Sequence, residues 1–305
     1  TMITAFILGM ALGSIFIGKI IDWFGREVLI FSVLQIFIGF TTVLTVVYFP
    51  DIMNYVKNLE NAMVFNDAWK YVQVRFLEAF IIMFIPAFSF GAIFPSVIKY
   101  LNKNSGAISI SVGNAYALNT IGCIFGSLVT GFVIIPLVGS YYSMVIVSLL
   151  SICLGFRLFA PAWGKAGFLR KIISIALTAC IVILVLDFAV NKKNYPWPRD
   201  KMKLIFSYED AASLVNVYTG ELGYYIYADD TSISYPIGPN TTASTVQKLQ
   251  AHIPLLIHKD PKDVLIIGLG FGITSGSYAS YDSLNTLETV EIFTGAIKAA
   301  PIFKK

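Results

Sequence analysis

Six long apolar runs dominate the first 190 residues, and a short polar segment separates each run from the next. A helix needs about 20 apolar residues to cross the hydrocarbon core of a bilayer, because it rises about 1.5 Å per residue. The pattern therefore predicts a membrane region over residues 1–190 with about six transmembrane helices. The predicted helices cover approximately Ile3–Ile21, Val28–Phe49, Phe76–Ile98, Gly113–Val138, Tyr141–Phe156 and Ile172–Val190.

Small residues recur at four-residue spacing inside two of these runs. Gly9 and Gly13 form one such pair, and Gly122 and Gly126 form the other. Small side chains let the backbones of two helices approach closely in lipid. Both pairs are therefore predicted to mark contacts between helices.

The pattern changes after the sixth run. Residues 191–202 read as a basic, proline-containing linker, and short runs rich in β-branched and aromatic residues follow it. These runs alternate with turn-like segments, so they predict a small antiparallel β-sheet within residues 203–243. Residues 244–305 are predicted to begin a cofactor-binding domain with a helix near Ser244–Ile257. That domain is expected to be incomplete at its C-terminus.

Composition supports a membrane protein, since 56% of the residues are hydrophobic and 13% are charged. The net charge of +4 comes from basic residues in loops beside apolar runs, which favours contact with lipid headgroups over nucleic acid. The three cysteines lie inside apolar runs without metal-binding spacing, so no metal site is predicted. Ionisable residues avoid the helix middles, which argues against an ion-coupled pump.

The candidate chemistry lies in a glycine-rich segment near the end of the chain. Gly268, Gly270 and Gly272 directly follow the apolar run Val264–Ile267, and Glu291 lies at the end of the next predicted strand. Glycines allow a sharp turn and close approach of a ligand, and an acid about 20 residues later can bind a ribose diol. The order predicts a nucleoside-binding site. The alternative is a tight turn in another kind of α/β protein, with Glu291 solvated.

These segments resemble the spermidine synthase-like proteins, the polyamine aminopropyltransferases, and most closely the branch fused to a multi-pass membrane region. The soluble part is similar in YEDAASLVNVY, LQAHIPLLIHKDPKDVLIIGLGFGIT and TVEIFTGAIKAAPIF. The membrane part is similar in NAYALNTIGCIFGSLVTGFVIIPLVG, and GKIIDWFGR resembles a first-loop pattern of major-facilitator-type transporters.

The resemblance implies a Rossmann-like, methyltransferase-type α/β domain preceded by a small β-sheet. It also implies decarboxylated S-adenosylmethionine as cofactor, held by Gly268, Gly270, Gly272 and Glu291. Phe271 stands where the soluble enzymes carry an Asp, and NTTASTVQKL stands where they carry a Tyr-His-Glu cluster. The family's catalytic acid lies beyond Lys305, so the catalytic residues are unknown and the fragment is expected to be inactive.

The favoured function is thus aminopropyl transfer from decarboxylated S-adenosylmethionine to a polyamine amine by an integral membrane protein. One alternative is a methyltransferase-like enzyme that uses S-adenosylmethionine, and another is a transporter or exporter whose soluble domain senses a ligand. The expected partners are the lipid bilayer and a polyamine or other small amine.

The location of the soluble domain is predicted from its cofactor. When the linker after the sixth run is included, the basic residues outside the helices divide equally between the two sides, so the positive-inside rule does not choose an orientation. The interhelical loops alone would place the soluble domain outside, by eight basic residues to three. Adenosyl sulfonium compounds are made in the cytoplasm, which favours a cytoplasmic domain on the plasma (inner) membrane. His252 and His258 are assigned helix-end or surface roles, and Asp229 and Asp230 are read as turn residues.

Overall fold

The computed structural model describes residues 2–62, 68–105, 107–162, 183, 201–229, 231–234, 237 and 242–303. The chain divides into two compact units. The first contains residues 1–130 and 140–194, and the second contains residues 131–139 and 195–305. Each unit is built around its own set of contacts.

Long helices occupy the first part of the chain. The described helices are α1 (Met2–Phe24), α2 (Glu27–Ala62), α3 (Ala68–Ser105), α4 (Ile108–Val129) and α5 (Ile135–Ala162). A π-helical turn, Thr130–Ile134, joins α4 to α5. Four stretches in the described part are long and apolar enough to span a membrane: Met2–Phe24, Glu27–Phe49, Val72–Lys103 and Ile108–Phe159.

The fourth of these stretches contains two of the predicted runs. Its helical path is interrupted at Gly139, which has φ 81° and ψ 162°, between the predicted helices Gly113–Val138 and Tyr141–Phe156. A positive φ of this size favours glycine, because other side chains clash with the backbone there. The predicted helix Ile172–Val190 lies outside the described residues, apart from residue 183. The first three predicted runs each lie within one observed helix.

Glycines set the closest helix contact, between α1 and α3. A Cβ atom placed on Gly13 would overlap the carbonyl of Phe88, and one on Gly91 would overlap the carbonyl of Met10. This confirms the predicted contact at Gly13, where the missing side chain lets two backbones touch. A Cβ on Gly122 or Gly126 would meet nothing within 4 Å in the described part of the chain, where this stretch of α4 is exposed. The predicted helix contact of this second pair therefore stays a prediction.

Two ion pairs join the ends of these helices. The ammonium of Lys99 lies 2.9 Å from Asp22, and that of Lys103 lies 2.7 Å from Glu27. Lys99 also donates a hydrogen bond of 3.0 Å to the carbonyl of Ile21. Both lysines belong to α3, so they tie its C-terminal part to the segment that connects α1 and α2.

The second unit begins with a four-stranded antiparallel sheet, as predicted. Its strands are β1 (Lys203–Glu209), β2 (Leu214–Gly220), β3 (Gly223–Ala228) and β4 (Thr231–Ser232), in that spatial order. Val217 lies opposite Ile226 in the β2–β3 register. The helix α6 (Ala243–Ile257) follows, close to the predicted bounds.

A parallel pair of strands completes the described chain. β5 (Asp263–Ile267) and β6 (Thr286–Val290) pair in parallel, with α7 (Ile273–Tyr278) between them in sequence. After β6 come α8 (Thr294–Ala299) and a short 3₁₀ turn, Ala300–Phe303. Parallel strands need such a crossover connection, because a tight turn can join only antiparallel strands.

The core of this unit joins the antiparallel sheet to the glycine-rich segment and to α8. Buried side chains of β2 and β3 pack with residues from the glycine-rich segment and from α8: Val215, Val217, Ile226, Ala228, Phe271, Ala296 and Ala299. Gly295 brings α8 close to the sheet, since a Cβ there would overlap Val215. The position of the glycine-rich segment therefore depends on the folding of the antiparallel sheet.

Candidate functional site

The candidate site is the glycine loop, residues 268–272, between β5 and α7. The φ angles of Gly268, Gly270 and Gly272 are 97°, 52° and 76°. Only glycine adopts such angles without strain, which explains three glycines at alternate positions. The N–H of Gly268 donates to the carbonyl of Val290 at 2.7 Å, and the N–H of Gly272 donates to Leu269 at 2.8 Å. These two bonds fix both ends of the loop.

Space beside the loop is open at its first glycine. A Cβ on Gly268 would meet nothing within 4 Å, so the main chain there is accessible to a ligand. Gly270 is closer to the protein, because a Cβ on it would lie 3.3 Å from the hydroxyl of Ser234. The loop is therefore exposed at Gly268 and lies against Ser234 at Gly270.

The carboxylate of Glu291 lies directly against the glycine loop. Its Oε2 accepts a hydrogen bond of 2.7 Å from the N–H of Leu269 and a longer one of 3.4 Å from Gly270. Its Oε1 accepts from the N–H of Phe293 at 3.0 Å. The structure thus brings all four predicted cofactor-binding residues together, although their binding role stays a prediction.

Phe271, which stands in place of an acid within the loop, is a core residue. Its side chain is 6% exposed and its ring lies 4.8 Å from that of Phe303, nearly perpendicular to it. It also packs in the cluster formed by β2 and β3. An aromatic side chain here attaches the loop to the sheet through apolar packing.

The sequence analysis missed two polar residues near the loop, Gln247 and Ser234. The side-chain Nε2 of Gln247, on α6, donates to the hydroxyl of Ser234 at 2.9 Å. The main-chain carbonyl of Gln247 accepts from the hydroxyl of Thr274 at 3.1 Å. The Oε1 of Gln247 is buried and has no hydrogen-bond partner in the described part of the chain. A buried acceptor beside the loop is available to a ligand donor. The apolar residues Val246, Leu249 and Ile253 of the same helix are exposed, so the apolar pattern of α6 did not indicate that Gln247 faces the protein.

The turn between β1 and β2 is tied to α8 by charge. Asp210 Oδ1 accepts from the N–H groups of Ala212 and Ser213 at 2.8 and 3.0 Å. Burial raises the pKa of Asp210, but these two bonds, the hydroxyl of Thr294 and the charge of Lys298 together lower that pKa below its usual value. Lys298 also lies over the ring of Tyr208, 3.7 Å from its centroid.

The remaining candidates have local partners. His252 hydrogen-bonds to the hydroxyl of Tyr281, and His258 accepts from the N–H of Asp260 at 3.3 Å. Asp229 has φ 48° and accepts from the N–H of Leu214 at 2.9 Å, which confirms it as a turn residue. Asp230 lies outside the described residues. Within the described part, no group of three His, Cys, Asp or Glu residues is arranged to hold a metal.

Comparisons with known proteins give limited likeness. No family model matches the chain, and none of the curated proteins compared matches it. Two solved structures are similar: spermidine synthase in complex with the transition state analogue AdoDATO, and spermidine synthase from Thermotoga maritima. Each is 25% identical, covers 33% of this chain and has a TM-score of 0.29. The chain spans about a third of their length, 33% and 34% respectively, so the activity of the whole enzymes enters only as a proposal.

Proposed function

We propose that this membrane protein binds decarboxylated S-adenosylmethionine at the glycine loop and transfers its aminopropyl group to a polyamine amine. The soluble unit would have the Rossmann-like, methyltransferase-type fold that the sequence predicts and would face the cytoplasm. The observation that carries the proposal is the contact between Glu291 and the N–H of Leu269. This contact places Oε2 of Glu291 2.7 Å from the main-chain nitrogen of Leu269, next to Gly268, whose main chain is accessible to a ligand.

The residues present fit an adenosyl ligand. The open main chain at Gly268 allows close approach, and a strand-end carboxylate is the usual acceptor for ribose hydroxyls. The Oε1 of Gln247, which is buried and has no hydrogen-bond partner among the described residues, adds an acceptor near the same loop. Glu291 would accept from the ribose, and Gln247 would accept from a ligand N–H or O–H group.

The protein's contribution to the reaction is mainly positional. A bound sulfonium supplies an electrophilic carbon and a neutral thioether leaving group, which makes it the chemical source of the alkyl group. The glycine loop and Glu291 would fix the ligand so that an amine attacks in line, and such orientation accounts for much of the rate of two-substrate reactions. The attacking amine must be unprotonated, and the residue that removes its proton is unassigned.

Methyl transfer from S-adenosylmethionine is the second candidate. Phe271 favours it, because this buried ring leaves the glycine loop without a charged side chain of its own. An acid in the loop would be suited to a ligand with a cationic aminopropyl chain, and that acid is missing here. The ligand's carboxylate distinguishes the candidates, since S-adenosylmethionine has it and the decarboxylated cofactor lacks it.

The test is a binding and activity comparison on the full-length protein in detergent. We expect decarboxylated S-adenosylmethionine to bind more tightly than S-adenosylmethionine in calorimetric titration, with putrescine or spermidine as acceptor in the transfer assay. Glu291→Ala should weaken binding roughly tenfold to hundredfold, because a hydrogen bond to a charged acceptor contributes about 1.5–3 kcal/mol. Gly270→Val should abolish binding, since a branched side chain would press on Ser234.

The outcomes separate the candidates. Tighter binding of S-adenosylmethionine, with methylated product, would favour the methyltransferase. Binding of neither compound by a folded protein would refute both enzyme proposals. Transport of a polyamine into vesicles without transfer would favour the transporter alternative.

A further inference from the structure

The hydrogen bonds of Glu291 use most of its capacity as an acceptor. An ionised carboxylate has about four lone-pair sites, two on each oxygen. Oε2 already accepts from Leu269 and Gly270, and Oε1 accepts from Phe293. One site, on Oε1, is then left for a ligand, whereas a ribose diol offers two hydroxyl donors.

The glycine loop needs a hydrogen-bond acceptor for its middle N–H groups to keep one conformation. Each glycine has more backbone freedom to lose than other residues, and this loop contains three at alternate positions. The loop's ends are bonded through Gly268 and Gly272, but the N–H groups of Leu269 and Gly270 point to Glu291. Bonds to an ionised acceptor are about twice as strong as neutral ones, so this carboxylate restrains the main chain at Leu269 and Gly270 in addition to the packing of Phe271.

We propose that Glu291 is a positioning residue that holds the glycine loop in its binding shape, and that it accepts one ligand hydroxyl while doing so. A second hydroxyl must replace the longer bond, the 3.4 Å contact from Gly270. The inference rests on the proposed function for the identity of the ligand. Its claim about the loop concerns the protein alone.

The first test measures the loop without a ligand. Glu291→Gln removes the negative charge, so the bonds from Leu269 and Gly270 weaken in either orientation of the amide and are lost where its NH₂ faces the loop. We expect amide hydrogen exchange in the peptide 268–272 to accelerate roughly tenfold in full-length Glu291→Gln. Glu288→Gln is the matched control, because Glu288 is an exposed carboxylate on β6, and it should leave this exchange unchanged. Unchanged exchange in Glu291→Gln would overturn the proposal.

The second test separates the loop from the hydroxyls. The probes are 5′-methylthioadenosine and its 2′,3′-dideoxy analogue, titrated into wild type, Glu291→Gln and Glu288→Gln. If Glu291 only bound the diol, Glu291→Gln would not change the affinity for the dideoxy probe, and that result would overturn the positioning role. We expect it to weaken both probes, the dideoxy one by roughly threefold or more, about 0.7 kcal/mol.

Failure of the proposed function looks different. A folded wild-type protein that binds neither probe would refute the adenosyl site, and the exchange measurement would then decide the role of Glu291 by itself. Faster exchange with no probe binding would leave Glu291 as a positioning residue of the loop and remove the ligand assignment.

Discussion

Replacement of Phe271 by Asp is the most informative single change, because it restores the acid that the resemblance leads one to expect. The structure predicts a loss of stability instead of a gain of function. Phe271 is 6% exposed and packs on Phe303 and on the sheet core. Removing a buried Phe side chain typically costs about 3–5 kcal/mol.

The new carboxylate adds a second cost. A charge placed in an apolar cluster must either stay ionised without partners or take up a proton, and both states are unfavourable. The total therefore exceeds about 3–5 kcal/mol, which is a large part of the stability of a typical domain, about 5–15 kcal/mol. We expect Phe271→Asp to unfold the second unit or to leave it strongly protease-sensitive.

Limited proteolysis of the full-length protein in detergent, read by the lifetime of the soluble part, measures this effect. Phe271→Leu should lower the stability of the second unit far less, since an apolar side chain of similar size refills most of the space. Leu222→Asp is a matched surface control, because Leu222 is 46% exposed in the turn between β2 and β3. A Phe271→Asp protein as stable as wild type, with improved binding of an amine ligand, would refute the assignment of Phe271 to the core.

Three further predictions follow from other contacts. Gly13→Leu should lower the free energy of unfolding of the detergent-solubilised protein by at least about 1–3 kcal/mol, because the new side chain would overlap the main chain of Phe88. Gly122→Leu is the control and should have little effect, so equal losses in the two variants would contradict the observed packing. Gly268→Ala should destabilise the loop by about 1–2 kcal/mol, because alanine is strained at the φ of 97° that Gly268 has. Gly276→Ala is the control, since Gly276 has equal space for a Cβ but is helical, and it should cause no such loss. Equal stability of the two variants in chemical denaturation would contradict this. The pKa of Asp210 is lowered in the folded state, so its stabilising effect is present above the ordinary pKa of about 3.9 and is lost as pH falls through the folded value. Resistance of the protein to pepsin should therefore fall below about pH 4, and it should fall less steeply in Asp210→Asn. Parallel pH profiles for the two proteins would show that Asp210 does not stabilise the fold.

The helices were predictable because a bilayer imposes a length and a composition on every span. The runs at Ile3–Ile21, Val28–Phe49 and Phe76–Ile98 stand out for that reason, and each lies in one helix. What the pattern could not show is which small residues face another helix. Gly13 and Gly122 belong to pairs with the same spacing, yet among the described residues only Gly13 has a neighbouring backbone.

The glycine loop was predictable from local constraints, since positive φ angles require glycine wherever the chain turns in this way. Phe271 and Gln247 were not, because their roles depend on contacts across the fold. Phe271 belongs to the same core cluster as Val217, more than fifty positions earlier, and Gln247 bonds to Ser234 only after β4 and α6 have formed. Neither contact leaves a periodic signal in the sequence.

These contacts make the candidate site a product of three separate segments. The antiparallel sheet supplies the apolar surface under Phe271, the strand β5 carries the glycine loop, and Glu291 at the end of β6 holds the middle of that loop. The segment 291–303 contributes both the carboxylate and Phe303, which packs on the ring of Phe271 in the same loop. A substitution in β2 can therefore weaken ligand binding without touching the ligand, because it releases Phe271 and with it the main chain at Gly270.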